Sequence, residues 1–341
     1  MTRHARALLW SLAVVTACGG DRGAASSTSG ARIDLTGAGA TFPFPLYRQW
    51  FADYAGRTGV QINYLSVGSD EGLRLLDSAQ VDFGATERPL ALTERAGGSC
   101  GRVAIPTVAG AVAVVYRLPG LTSTLRFDAP LLVAIFGGRV TRWDAPAIQA
   151  LNPGVRLPAQ PITVVHRAGG SGTSRAFAAF LATGGWPRAH GDSADVRWPV
   201  GVAVEGNEGI AGQVQATLGS IGYLELAYAR INRLPAGTVR NTAGAFVAPS
   251  LASVAAALVA PPAGVADTAA YPIVTRTWLV VDPSRVAVEK GERLSAFLRW
   301  ALADGATQAR ALEYAPLPPV QVAHYDSLVR ALTFGPCPAP R

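Results

Sequence analysis

Three short segments of the chain share one pattern: a turn of glycines or small residues, a hydroxyl, then the start of a helical stretch. They are Gly37-Ala38-Gly39-Ala40-Thr41-Phe42, Gly68-Ser69-Asp70-Glu71-Gly72 and Gly169-Gly170-Ser171-Gly172-Thr173-Ser174. The first turn of a helix leaves backbone N–H groups unpaired, and its dipole favours negative charge there. Glycine lets the backbone approach a guest closely. Hydroxyls add donors, and Arg167, just ahead of the third segment, adds a fixed positive charge. One such turn is ordinary helix capping. Three of them with an arginine point to noncovalent capture of an anion.

Other chemistries fit these residues less well. A phosphate-binding P-loop needs a lysine after its last glycine, where Thr173 stands. A hydrolase nucleophile elbow needs G-x-S-x-G, which residues 169–173 do not supply. A phosphatase using Ser171 or Thr173 as nucleophile would need an activating base, and His166 is close only in sequence. The four histidines (His4, His166, His190, His324) are scattered, and the cysteines have no metal-ligand spacing. The expectation is a binding protein without metal, cofactor or catalytic residues.

The elements that position these turns read as α/β. Short apolar strands alternate with helical patterns, which argues for parallel sheets with covering helices. Helical spacing runs over residues 45–57, with Gly59 as a stop. Alternation at Val60, Ile62 and Tyr64 reads as a strand, and Ser69 as the cap of a helix through Leu73 and Leu76. Residues 81–86 and the apolar run 111–116 read as strands. A second set follows: an apolar strand-like run at 131–136, a helix at 143–151, a strand at 162–165 and a helix at 173–181. Residues 221–224 precede a further helix, 252–259 are helical, 260–266 are a loop, and 271–281 contain a strand. Helices at 296–303 and 320–332 close the chain. Trp143, Trp198, Trp278 and Trp300 read as core aromatics.

At 341 residues, 49% apolar and 16% charged, the chain is globular and long enough for two lobes. The N-terminus stands apart. Arg3 and Arg6 precede an apolar run at 7–17, too short to span a bilayer, which reads as a signal peptide. It ends Val15-Thr16-Ala17-Cys18, which resembles a bacterial lipobox, so residues 1–17 would be removed and Cys18 would carry lipid. The Gly/Ser/Ala-rich residues 18–31 suit a flexible tether. Losing Arg3 and Arg6 takes the net charge from +7 to +5. That is mild, and no dense basic run with interleaved aromatics suggests nucleic acid. An exported chain permits a disulfide between the remaining Cys100 and Cys337.

Five blocks carry a specific resemblance: "TGAGATFPFPLYRQW", "VDFGATERPL", "VHRAGGSGTS", "GNEGIAGQVQ" and "GSIGYLELAYA". In type and order they resemble the phosphate-binding subunit of bacterial phosphate ABC transporters, the PstS-type periplasmic binding proteins, over residues 35–332. The resemblance implies a two-lobed type II periplasmic binding protein with the ligand cleft between lobes joined by a hinge. Residues 32–113 and 271–341 would form lobe one, and 114–270 lobe two. It places Thr41 and Phe42 on the first anion-binding loop, Ser69 on the second, Arg167 as the ligand-contacting arginine, and Ser171, Gly172 and Thr173 on the loop from lobe two. Glu87 stands where the family has an aspartate that accepts the proton of phosphate and rejects sulfate. Two further departures are Asp70-Glu71 after the second-loop serine, expected to point outward, and Gly169 where the family often pairs its arginine with an aspartate. Asn207 and Glu208, in the GNEGI turn, are expected to cap a helix. The resemblance implies extracytoplasmic capture of inorganic phosphate, delivery to permease and ATPase subunits, a monomer, and location at a membrane through Cys18 or in the periplasm. The departures leave room for another tetrahedral oxyanion such as arsenate.

Overall fold

The computed structural model describes residues 35–88, 101–187, 196–259 and 267–336. Cys18, Cys100 and Cys337, and with them the lipid and disulfide expectations, lie outside the described residues, as do the signal, the tether and the 260–266 loop. The strands, in chain order, are β1 Leu35–Gly39, β2 Ile62–Ser66, β3 Phe83–Thr86, β4 Val103–Tyr116, β5 Arg126–Phe127, β6 Thr163–Arg167, β7 Val202–Val204, β8 Ser220–Glu225, β9 Thr238–Arg240, β10 Phe246–Val247, β11 Val274–Val281 and β12 Ala315–Pro316. Among the described residues, nine of them form one sheet in the order β2-β1-β3-β11-β4-β8-β6-β7, with β12 also on β4. A small second sheet is ordered β10-β9-β5.

β4 joins the two halves of the large sheet. All fourteen of its residues are buried. Its first part, Val103 to Ala111, pairs with β11, and its last five residues pair with β8. The sequence expectation of a strand at 111–116 caught only the second part. The outer strands are parallel (β2 and β3 on β1, β7 and β8 on β6), but β11 and β4 run antiparallel to their neighbours. The sheet is therefore mixed, not parallel throughout. A strand that leaves one half and another that returns to it must break the parallel order at the join.

Local sequence explains the flanking helices. The helix Phe44–Thr58 has Pro45 in its first turn and ends at Gly59, whose left-handed φ of 77° closes it with a bond to the Ala55 carbonyl. Its buried face carries Leu46, Tyr47, Trp50, Phe51 and Tyr54, and the Trp50 indole donates to the Gly305 carbonyl at 2.9 Å. Residues 131–136, expected as a strand, lie in the helix Ala129–Phe136. A short apolar run fits either element by period alone. Here the Asp128 side chain accepts from the Leu131 N–H at 3.0 Å, and Pro130 sits in the first turn. The helix expected from 143 begins at Pro146, because Trp143 is instead buried with its indole donating to the Gly219 carbonyl. Trp143 and Trp278 are buried, and Trp198 and Trp300 pack against the core.

Candidate functional site

Strands β1, β2, β3 and β6 end at one place; the three hydroxyl turns follow β1, β2 and β6, and Glu87 follows β3. β1 runs into Gly39, whose φ of 137° suits only glycine; a Cβ there would overlap the Ala85 backbone of β3. The chain turns at Ala40, held by its N–H on the Ala85 carbonyl at 2.8 Å, and delivers Thr41 and Phe42. After β2, Gly68 (φ 96°) bonds back to the Gly39 carbonyl and starts the helix Ser69–Asp77. Gly72 lets this helix press on Gly39, leaving no room for a Cβ. Ser69 is the first helical residue, not the cap expected from sequence. Its hydroxyl donates to Glu87 Oε2 at 2.9 Å.

From the other half of the sheet, β6 ends at Arg167. The turn at Gly169 (φ 64°) leads to Ser171, the N-cap of the helix Gly172–Ala182, whose Oγ accepts from the Ser174 N–H. The guanidinium reaches across: Arg167 Nη1 donates to Thr41 Oγ1 at 3.3 Å, while its Nε has no partner among the described residues. Glu87 packs against Gly172, where a Cβ would collide with the glutamate side chain. A Cβ at Gly68 would stand 3.2 Å from the Gly170 carbonyl oxygen. The two halves are thus closed on each other, and Thr41, Phe42, Ser69, Glu87, Arg167, Ser171 and Thr173 are each 5% exposed or less.

Electrostatics follow from that burial. Burial pushes the Glu87 carboxyl up to about 7, against the opposing pull of the Ser69 hydroxyl, the Arg167 charge and the Thr277 hydroxyl. Burial also lowers Arg167 from its ordinary value. The arrangement offers donors, one cation and one weakly acidic carboxyl to a small guest. It offers little to a nucleophile. Ser171 Oγ is engaged as a cap, and His166 stacks on Trp198 with its Nδ1 donating to the Arg167 carbonyl. Among the described residues no group of three potential metal ligands gathers.

Some residues were missed or misread. Asn207, expected to cap a helix, is fully buried. Its side chain donates to Thr41 Oγ1 at 2.8 Å and to Thr173 Oγ1 at 3.4 Å, while Glu205 occupies the N-cap position. Glu208 instead accepts from the Tyr228 hydroxyl at 2.8 Å. Thr277 of β11 donates to Glu87 Oε1 at 3.3 Å. The Tyr228 hydroxyl lies 2.7 Å from the Thr41 carbonyl as well as beside Glu208, one hydrogen between two acceptors, and the Tyr314 hydroxyl donates to the Phe42 carbonyl at 2.7 Å. Glu71 points outward, paired with Arg74, as expected. Asp70 does not simply do so: its carboxylate lies where a Cβ on Gly170 would be, against the opposite loop.

Residues 24–304 match the family described as the PBP superfamily domain. The chain is 37% identical over 306 residues to the phosphate-binding protein PstS of Xylella fastidiosa strain 9a5c, covering 84% of this chain and 82% of that one. It is 35% identical over 298 residues to the PstS of Pasteurella multocida, covering 83% and 86%. The chain belongs to the PstS family of phosphate-binding proteins. A solved structure of a high-affinity periplasmic phosphate-binding protein (PfluDING) bound with phosphate aligns with a TM-score of 0.70 at 20% identity, covering 89% of this chain and 96% of that one. A phosphate ABC transporter substrate-binding protein from Clostridium perfringens aligns with a TM-score of 0.63 at 16% identity, covering 84% and 100%. The PstS fold is thereby established here: a two-lobed type II binding protein whose lobes share β4. Ligands of open α/β sheets lie beyond the carboxyl ends of their strands. In this PstS family member that is where Thr41, Glu87 and Arg167 meet.

Proposed function

We propose that this chain captures inorganic phosphate outside the cytoplasm and delivers it to the permease and ATPase subunits of an ABC transporter. The observation that carries the reading is the burial, side by side, of Glu87 on the Ser69 hydroxyl and of Arg167 on the Thr41 hydroxyl, each feeling the other's charge, among helix-start donors. The ligand set is Thr41, Phe42, Ser69, Glu87, Arg167, Ser171, Gly172 and Thr173. Lobe one comprises residues 32–113 and 271–341, and lobe two residues 114–270. Closure about the β4 join traps the ion. Capture is noncovalent, and no bond is made or broken.

Phosphate near neutral pH keeps a proton, and sulfate does not. Glu87 accepts the hydrogen bond of that proton, while Arg167 and the neutral donors replace the hydration shell. Glu87 is one methylene longer than aspartate, and Gly172 leaves the space it occupies. Charge-assisted bonds contribute roughly 1.5–3 kcal/mol each. The mature chain is held at a membrane by lipid on Cys18 and works as a monomer. Calorimetric titration with phosphate, arsenate, sulfate and molybdate tests the reading. Phosphate should bind and sulfate should not. Silence toward phosphate would end the proposal, and tighter binding of arsenate than of phosphate would reassign the guest.

A further inference from the structure

Asn207 lies in the first turn of the helix Gly206–Ala216, with no exposed surface. Its side-chain oxygen accepts from the Glu225 N–H at 3.0 Å. That bond fixes the direction of the carboxamide, because only its oxygen can accept and only its NH2 can donate. The NH2 therefore faces the site, where it is shared between Thr41 Oγ1 at 2.8 Å and Thr173 Oγ1 at 3.4 Å. The Asn207 backbone N–H, unpaired within its own helix as first-turn donors are, also reaches Thr41 Oγ1, at 3.2 Å. With Arg167 Nη1, the Thr41 oxygen faces three donors.

A hydroxyl has two lone pairs and one hydrogen, and it rotates to suit its surroundings. Left free, it offers an anion a lone pair as readily as a proton. When donors already occupy its oxygen, its hydrogen must point elsewhere. Among the described residues neither Thr41 Oγ1 nor Thr173 Oγ1 donates to any acceptor. Their two hydrogens remain for a guest. We infer that Asn207 is a positioning residue that sets the polarity of the site: by feeding the hydroxyl oxygens of Thr41 and Thr173, one from each lobe, it obliges both to present O–H to the bound ion. The inference rests on the phosphate reading above. Because Asn207 and Thr41 belong to opposite lobes, Thr41 acquires this orientation only on closure.

The test is a mutant cycle read by calorimetric titration with inorganic phosphate. Wild-type chain is compared with Asn207→Ala, with the Thr41→Val/Thr173→Val double variant, and with the triple variant. Asn207→Ala should weaken phosphate binding about tenfold in the wild-type background. Where both hydroxyls are gone it should cost less than about threefold, because nothing remains for it to orient. In a Thr41→Ser background, which keeps a hydroxyl, the loss should return to about tenfold. The isosteric Asn207→Asp offers only acceptors, draws both hydroxyl hydrogens toward itself, and should cost about 100-fold or more. It also serves as the second probe if the alanine variant does not fold. Equal losses from Asn207→Ala with and without the hydroxyls would overturn the inference, placing the effect in the fold or in closure. Absence of phosphate binding by the wild-type chain would sink the functional reading itself, before any variant is compared.

Discussion

Replacing Glu87 by glutamine should change which anions the protein accepts. The wild-type carboxyl is buried, with Oε2 taking the Ser69 hydroxyl and Oε1 the Thr277 hydroxyl. Above its value of about 7 it is a carboxylate that can only accept. A protonated phosphate satisfies it; sulfate brings no proton and leaves two buried negative groups face to face. Leaving a buried charge without its partner costs about 3–5 kcal/mol, so the carboxylate form should reject sulfate by a factor of about 10² or more, and sulfate enters through the protonated form. Glutamine keeps the volume, removes the charge and supplies an N–H. In Glu87→Gln the ratio of sulfate to phosphate dissociation constants should therefore fall by about tenfold at about pH 8, where only about a tenth of a wild-type group titrating at about 7 is protonated. The wild-type protein should show the same effect through pH. Protonated Glu87 donates to sulfate as glutamine does, and its protonated fraction rises about tenfold between about pH 8 and pH 6 for a group titrating at about 7. Sulfate affinity should rise in step over that interval and then level off, while Glu87→Gln stays flat. Competition titrations at both pH values decide it. A glutamine variant that still excludes sulfate, or a wild-type selectivity indifferent to pH, would refute the role given to Glu87.

Three further outcomes follow from the same geometry. Arg167→Ala should weaken phosphate binding by about 10² or more, and Arg167→Lys should restore little, because an ammonium is a point charge without the planar fork that can serve Thr41 and the ion together; calorimetry reads both. Gly172→Ala should weaken phosphate binding while the midpoint of urea unfolding without ligand holds or rises. The added methyl collides with Glu87 across the cleft but suits a helix start, alanine being favoured over glycine by about 1 kcal/mol. Without ligand, stability should fall as pH rises from about 4.5 to about 8. Burial raises Glu225 to about 8 and Glu87 to about 7, so their contribution is complete below the unfolded carboxyl range and is lost as pH passes each folded value. The change is on the order of a few kcal/mol, and Glu225→Gln should flatten its upper part in urea titrations at successive pH values.

The site was legible where its chemistry is local. A glycine-rich turn, a hydroxyl and a helix start are written within six residues, so Thr41, Ser69, Ser171 and Thr173 could be picked out before their distances were known. Arg167 was legible by adjacency, and Glu87 only through the family pattern. Asn207 was not legible, because its partners Thr41 and Thr173 lie 166 and 34 residues away in the chain and only the fold brings them to it. Thr277 was hidden because its bond to Glu87 spans 190 residues. The alternation of strands and helices gave the α/β class. It could not give the antiparallel β11 and β4, because direction within a sheet is set by how the chain crosses between lobes. The helix Ala129–Phe136 escaped because a short apolar run fits either element, and the deciding cap, Asp128, stood just outside it.

Orientation of the backbone donors can be traced in the same way as that of the hydroxyls. The Thr41 carbonyl shares the Tyr228 hydroxyl with Glu208 Oε1, and the Phe42 carbonyl is held by the Tyr314 hydroxyl. In a trans peptide the C=O and the following N–H point in opposite directions. A Thr41 carbonyl fixed on Tyr228 therefore turns the Phe42 N–H, which we propose as a donor to the ion, to the far side of that peptide. Tyr314 lies 2.7 Å from both the Phe42 carbonyl and Glu225 Oε2, yet its phenol has one hydrogen for two acceptors. A neutral Glu225 removes the conflict: its own proton goes to the Tyr314 oxygen, leaving the phenol free to donate to Phe42. With burial raising Glu225 to about 8, that is the form present at neutral pH. Through Tyr314 the protonation of Glu225 holds a peptide of the first binding loop, and through its backbone N–H the same residue fixes the Asn207 carboxamide. Glu225, at the end of β8, thus helps to hold both the Phe42–Pro43 peptide, which carries no N–H of its own, and the carboxamide that feeds the Thr41 hydroxyl.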